Sequence, residues 1–208
     1  MPSQILHVLF GQDLLHTADM HSELLSSSLF PYYALGCQGP DIFYHSQRLR
    51  PVGLEYGTLM HRRGFGSTAA KLLSLSAPLY PGKEAAYALG FCTHAFLDRA
   101  LHPYIVYKAG WVAPDRPETE RYARCHAFFE RIIDVLMLRI LRGEAIESWN
   151  QQSLLSDSCQ KMDEHMQRLL AQALLYAYPK RTTGDKKLTQ RIANAYTDAG
   201  FFYALSDP

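Results

Sequence analysis

Apolar residues recur along most of the chain at the three- and four-residue spacing of amphipathic α-helices. No segment shows a clear alternation of apolar and polar residues, which is the pattern of half-buried strands. The pattern therefore predicts an all-α fold. The predicted helices cover residues 4–28, 54–61, 67–75, 82–101, 118–142, 157–177 and 187–205.

Proline and glycine are expected to mark the ends of these helices. Pro31 is expected to close the first helix, Pro103 to end the fourth, and Gly143 to stop the fifth. We predict a long loop over residues 30–51, and such a loop in a compact domain is often functional. The residues that favour a loop there are Gly36, Gly39, Pro40 and Pro51.

Length and composition describe an ordinary folded chain. Its 208 residues suit one domain, and we predict a single helical domain over 1–208. A composition of 48% hydrophobic and 20% charged residues argues against disorder. The formal charge of +1 gives no electrostatic reason to expect duplex nucleic acid as a partner. No run of apolar residues is long enough for a transmembrane helix.

The four cysteines are widely spread and form no C-x-x-C pair, which argues against a zinc ribbon. The first residues lack the basic region, apolar run and cleavage site of a signal peptide. We therefore predict reduced thiols and a cytoplasmic location.

The most apolar predicted helix, residues 82–101, carries His94, Asp98 and His102 at four-residue intervals. This spacing puts the three side chains within an arc of roughly 80° on one helix face. Such groups are costly on a buried face unless they are paired or bind metal, and imidazole and carboxylate are good zinc ligands. The stripe spans about 12 Å, so His94 and His102 cannot share one ion. Two adjacent metal positions, or one metal and an unrelated histidine, both satisfy the pattern.

A second pair with the same spacing, His126 and Glu130, lies on the next long helix. Phe128, Phe129, Ile132 and Ile133 around this pair indicate an apolar face. Two packed helices that each present a histidine and an acid can enclose metal ions between them.

Three motifs in this order resemble the zinc-dependent phospholipase C family, which shares its fold with the single-strand-specific zinc nucleases. They are Gly39-Pro40-Asp41-Ile42, the block Gly90-x-x-x-His94-x-x-x-Asp98-x-x-x-His102-Pro103, and His126-x-x-x-Glu130. The resemblance covers about residues 5–135, and the block around His94 is its most specific part.

The resemblance implies a helical domain that hydrolyses phosphodiesters with two or three metal ions, zinc first among the divalent candidates. It implies one site from His61, His94 and Asp98 and another from His102, His126 and Glu130. It further implies that Asp98 bridges to a third ion held with His7, and that Asp41 orients or deprotonates the attacking water. The chain departs from the secreted phospholipases in two respects: it begins Met1-Pro2 rather than with tryptophan, and Asp98 and His102 are closer together.

Other interpretations remain open for the same residues. His61 can cap the end of its helix, His7 can lie on a helix surface, and Asp41 can be a turn or capping residue. Asp134 is expected as a hydrogen-bond partner behind Glu130.

Three functions fit these observations: a hydrolase of phosphoesters, a non-catalytic metalloprotein, and a helical interaction protein without metal. Expected substrates of the hydrolase are small phosphoesters or phospholipid headgroups, and peripheral contact with a membrane is left open.

Overall fold

The computed structural model describes residues 4–17, 24 and 28–206, and these residues form helices and connecting segments without any β-strand. The all-α prediction is confirmed. The α-helices are α1 (Ile5–Thr17), α2 (Phe30–Cys37), α3 (Leu54–Arg62), α4 (Phe65–Ser76), α5 (Lys83–Ala109), α6 (Cys125–Arg142), α7 (Asp157–Gln160), α8 (Glu164–Ala177), α9 (Pro179–Thr182) and α10 (Leu188–Leu205). Turns of 3₁₀ helix cover Gly39–His45, Ala77–Leu79, Pro117–Tyr122 and Ile146–Ser148, and a π-helical turn covers Gln152–Ser156.

The loop predicted over residues 30–51 is wrong in its first part, which forms α2 and the 3₁₀ helix Gly39–His45. Pro31 lies in the first turn of α2, where a missing N–H costs no helical hydrogen bond. It therefore helps to begin a helix and does not close one. Most of residues 18–27, which were predicted to continue the first helix, lie outside the described residues.

Helix α5 is longer than predicted, because it continues through Pro103 to Ala109. A proline inside a helix removes one hydrogen bond to the residue four positions earlier, here Arg99. The rest of this long helix stays paired, and it ends at Gly110, whose φ of 77° breaks the helical path.

Two other boundaries differ from the pattern. The helix predicted from residue 118 begins at Cys125, because 117–122 forms a 3₁₀ turn. The segment 157–177 is divided into α7 and α8, and the Asp163 side chain accepts a hydrogen bond from the backbone N–H of Met166 at 3.0 Å to cap α8. The remaining predicted helices agree with the observed ones to within a few residues at each end.

Helix α5, the most apolar of the helices predicted from the sequence, is central: it packs against α1, α2, α4 and α6. One hydrophobic cluster extends from Ile5 in α1 to Tyr203 in α10, with Phe91 of α5 among its fully buried members. None of the described helices is long and apolar enough to span a bilayer. The packing brings α1, the 3₁₀ turn Gly39–His45, α3 and α6 to the polar face of α5.

Candidate metal centre

Five side chains from four elements converge beside α5, and we call them the first ligand group. Helices α1 and α3 contribute one histidine each, the 3₁₀ turn Gly39–His45 contributes an aspartate, and α5 contributes a histidine and an aspartate. Each imidazole lies within 4.0 Å of both carboxylates. The group consists of His7, Asp41, His61, His94 and Asp98.

The spacing in the first ligand group suits ions better than direct hydrogen bonds. The Nε2 atom of His94 is 3.8 Å from Asp41 Oδ2 and 3.6 Å from Asp98 Oδ2, and His7 Nε2 is 3.7 Å from Asp98 Oδ1. Hydrogen bonds between such atoms are about 2.7–3.2 Å long. Two atoms bound to one tetrahedral zinc ion lie roughly 3.3 Å apart, because each bond is about 2.0–2.1 Å. Only His61 Nε2 and Asp41 Oδ1, at 2.9 Å, are in hydrogen-bonding contact.

Backbone carbonyls orient two of the imidazoles. Nδ1 of His61 is 2.8 Å from the carbonyl oxygen of Gly57, and Nδ1 of His94 is 3.3 Å from that of Cys37. When Nδ1–H donates to a carbonyl, Nε2 is left to accept a proton or a metal ion. Gly39 makes room for this arrangement, because its φ is +54° and a Cβ there would lie 2.4 Å from the His94 ring.

Asp134 of α6 binds the N-terminus of α1 and thereby helps to position His7. Its two carboxylate oxygens accept hydrogen bonds from the backbone N–H groups of Gln4 and Leu6, both at 2.8 Å. These groups are the unsatisfied donors of a helix N-terminus, so a buried carboxylate satisfies them and favours the helix dipole. These two hydrogen bonds give Asp134 a role at α1, which the sequence-based expectation of a partner for Glu130 did not include.

Neither carboxylate of the first ligand group has a lysine or arginine as an ion-pair partner among the described residues. Asp41 is 2% exposed, and in the part of the chain that the structure describes every ion-pair partner of Asp41 and Asp98 is a histidine. Asp41 Oδ2 and His94 Nε2 are buried without a hydrogen-bond partner. Buried polar atoms of this kind are rare and call for a ligand, and a divalent cation meets the need of both atoms.

These contacts shift proton affinities in the group. Burial alone would lower the pKa of His61, but the hydrogen bond and charge of Asp41, with the Gly57 carbonyl, outweigh it and raise the pKa to about 9. Burial would raise the pKa of Asp98, but contacts with His7 and His94 outweigh that effect and hold its pKa well below the usual range. The first ligand group therefore favours negative carboxylates and attracts positive charge.

Three further side chains, from α5 and α6, form the second ligand group: His102, His126 and Glu130. Glu130 Oε1 is 3.0 Å from Nε2 of His126 and 3.8 Å from Nε2 of His102. Glu130 is 3% exposed, whereas both histidines are accessible from solvent. Three protein ligands on an accessible edge leave a coordination position open, which is the pattern of catalytic zinc sites.

The two ligand groups face one cleft of about 380 Å³. Asp41, His61 and Asp98 of the first ligand group line it together with the whole second ligand group. Tyr44, Trp111 and Arg124 form walls of this cleft. The pattern of the sequence did not single out Trp111 or Arg124 as lining residues.

The structure brings every sequence-predicted site residue into one of the two groups. The separation of His94 from His102 also agrees with the helix geometry, because the two fall in different groups. Asp41, expected beside the attacking water, lies among the ligand atoms and borders the cleft. Histidines elsewhere take other roles: His45 stacks on Phe202, His165 contacts Glu84, and His21 lies outside the described residues.

Comparisons with known proteins add no relative: no family model, no curated protein and no solved structure matches this chain. The likeness to the phospholipase C family therefore remains a resemblance in the three sequence motifs.

Proposed function

We propose that this protein is a metal-dependent hydrolase of phosphoester bonds, with divalent ions held by the two ligand groups. The observation that supports this proposal most directly is that both groups border the same cleft. A phosphate in that cleft can be reached from both sides, which is how two-metal phosphoesterases arrange attacking and leaving oxygens.

The donor atoms suit zinc. Imidazole nitrogen and carboxylate oxygen are its common protein ligands besides thiolate, and they also accept manganese or iron. We propose that His61, His94 and Asp98 hold one ion, and that the second ligand group holds another. His7 and the free oxygen of Asp41 offer a third position next to Asp98. The orphaned atoms of Asp41 and His94 support this assignment, because an ion would satisfy both.

Bound zinc would supply Lewis acidity, which lowers the pKa of a coordinated water and offsets negative charge on phosphate oxygens. The protein side chains orient and enclose the reactants. Asp41, with one oxygen held by His61 at 2.9 Å, keeps the other oxygen directed at His7 and His94. This arrangement favours a ligand role for Asp41, and its service as proton acceptor stays a prediction.

A structural metal site is the main rival, and the second ligand group argues against it. Structural zinc sites have four protein ligands, whereas this group offers three and is open to the cleft. Substrates in the proposal are small phosphoesters or phospholipid headgroups. A reducing, cytoplasmic setting is part of the proposal, and the free state of Cys37, Cys92, Cys125 and Cys159 is compatible with it.

Metal content tests the ligand assignment. Chelator-treated protein is reloaded with zinc, and zinc per chain is measured by atomic emission for the wild type, Asp98→Asn and His126→Gln. We expect each variant to lose the ion of its own group. His165→Gln, a histidine that contacts Glu84 away from the cleft, serves as the control and should keep all the metal.

Hydrolysis of bis(4-nitrophenyl) phosphate tests the reaction. Each ion is expected to supply several kcal/mol of transition-state stabilisation, so Asp98→Asn and His126→Gln should each lower kcat/KM by about a hundredfold or more. A fully loaded wild type that hydrolyses neither this ester nor a panel of phosphomonoesters and phosphodiesters would refute the hydrolase while leaving the metal centre intact.

A further inference from the structure

Helix α6 presents an apolar face to solvent on the side opposite its buried residues. Phe128 and Ile140 are 69% and 70% exposed, and Leu136 is 53% exposed. Isolated exposed apolar residues are ordinary, but a continuous helical stripe of them marks an interaction surface. We call the following residues the outer face of α6: Phe128, Ile132, Val135, Leu136 and Ile140.

The charged side chains that α6 itself exposes are positive. Both acids of this helix, Glu130 and Asp134, are buried on its other side. Arg131 donates to the side-chain oxygen of Gln4 and Arg139 donates to the carbonyl of Gly143, so neither has a carboxylate partner among the described residues. Arg142 pairs with Asp13 and adds no net charge. The face therefore combines apolar side chains with two uncompensated guanidinium groups.

Aromatic side chains from the end of α5 continue this surface. The Tyr104 ring lies 6.1 Å from that of Phe129, and the Nζ atom of Lys108 lies 5.8 Å from the Tyr104 ring. Tyr107 and Trp111 are 80% and 65% exposed. Tyrosine, tryptophan and lysine at the border of an apolar face are typical of the boundary between lipid headgroups and acyl chains.

We infer that the outer face of α6 binds the surface of an anionic lipid bilayer. The apolar side chains would enter the headgroup region, and Arg131, Arg139 and Lys108 would meet lipid phosphates and carboxylates. The charges disfavour a second copy of the chain as the occupant. A two-fold pair sets the same patch against itself, so the arginines of one α6 would approach those of the other.

This surface lies next to the cleft. Ala127 lines the cleft and Phe128 follows it on the outer face, while Trp111 both lines the cleft and is exposed. A bilayer on the outer face of α6 would thus bring the mouth of the cleft close to the headgroup layer. Binding to a bilayer through this face does not require that the protein hydrolyses phosphoesters.

Co-sedimentation with vesicles tests the inference. The wild type is mixed with vesicles of phosphatidylcholine alone or of phosphatidylcholine with phosphatidylserine, at low and high salt. We expect binding to the anionic vesicles, weakened by salt because the electrostatic part is screened. Ile140→Gln and Leu136→Gln should each weaken binding about tenfold, since each removes an apolar side chain that enters the bilayer.

Leu205→Gln is the matched control, because Leu205 in α10 is 71% exposed and Ile140 is 70% exposed. It should bind vesicles like the wild type, and circular dichroism should show that all variants are folded. Absence of binding to anionic vesicles would overturn the inference, and so would an equal loss in Leu205→Gln. Self-association without vesicles that Ile140→Gln abolishes would assign the face to a second copy.

Discussion

Arg124 adopts a backbone conformation that arginine usually avoids. It precedes α6 with φ 67° and ψ −8°, and among the described residues it is the one with positive φ that is not glycine. A left-handed conformation costs roughly 1–2 kcal/mol in a residue with a Cβ, and such strain is often kept for function. The side chain lines the cleft between the ligand groups, where a guanidinium suits a phosphate oxygen.

We expect Arg124→Gly to separate activity from stability. Loss of a charge-assisted hydrogen bond of about 1.5–3 kcal/mol should lower kcat/KM for an anionic phosphoester by roughly 10- to 100-fold. The unfolding free energy should stay equal or rise, since glycine adopts this conformation without strain. Urea denaturation and steady-state kinetics provide the two measurements. Arg121→Gln, which removes a cation that contacts Tyr122, is the control, and equal kinetic losses in both variants would refute the assignment.

Individual contacts in the site also show what residue spacing in the sequence can predict and what it cannot. The pairs His94 with Asp98 and His126 with Glu130 follow from the helical repeat, so the sequence was enough to place them together. The contact between His61 and Asp41 joins α3 to a 3₁₀ turn and depends on how those elements pack. No local pattern encodes it, and the same holds for the position of Arg124 above the cleft. The family motifs, and not the periodicity, brought Asp41 and His61 into the prediction.

At the scale of elements, two glycines allow α2 and α5 to approach closely. A Cβ on Gly90 would lie 2.1 Å from the carbonyl oxygen of Tyr33, and one on Gly36 would lie 2.2 Å from that of Tyr87. Such distances are far below van der Waals contact, and the atoms that would have to move are backbone. The close approach fixes α5, and with it His94 one turn after Gly90.

Gly90→Ala should therefore destabilise the protein, although alanine favours helices. We expect a loss of about 1–3 kcal/mol in unfolding free energy from overpacking, and weaker zinc binding because His94 moves. Gly66→Ala is the matched control: Gly66 lies in α4 with nothing near its Cβ position. There the substitution should stabilise by about 0.5–1 kcal/mol. Chemical denaturation measures both, and a stable Gly90→Ala would contradict this account of the packing.

Element boundaries were the weaker part of the sequence-based prediction. Glycine and proline in residues 30–51 were interpreted as loop signals, but Pro31 starts α2 and Gly36 packs against α5. Proline occurs in loops and at helix starts, and glycine occurs in loops and at close contacts between helices. Only the tertiary contacts decide which of these applies. Helix α6 shows a related ambiguity. Its apolar residues appeared to form one face, yet Ile133 packs on the core while Phe128 and Ile132 are exposed.

At the scale of the whole molecule, the ligand groups join elements that are distant in sequence. His7 and Glu130 lie at opposite ends of the motif-bearing region, and α1 reaches the site because Asp134 of α6 binds its first N–H groups. The sequence predicted the helical class, and the residues that it singled out as ligands converge in the structure. The sequence could not predict the hydrogen bonds between Asp134 and the start of α1, because contacts between residues so distant in sequence depend on the complete fold.

The last helix, α10, is joined to the site region through His45. This histidine is 7% exposed, its ring stacks 4.2 Å from that of Phe202, and its Nε2 atom is buried without a hydrogen-bond partner. Burial lowers the pKa of His45 from 6.5 to about 4. Protonation would place a positive charge between α10 and the 3₁₀ turn that carries Asp41, and this charge would lower the stability of the folded state.

The sign of the resulting pH dependence follows from linkage. Above pH 6.5 His45 is neutral in both states and contributes nothing to the pH dependence. Between pH 6.5 and about 4 the unfolded chain binds a proton that the folded chain refuses, so stability falls as the pH falls, by about 1.4 kcal/mol per unit. His45→Phe keeps the stacking on Phe202 and removes the titration. Urea denaturation of chelator-treated protein should show a smaller acid-induced loss of stability in this variant than in the wild type. Equal losses would mean that His45 takes up its proton in the folded state at an ordinary pH, and that the packing of α10 on the 3₁₀ turn tolerates the charge.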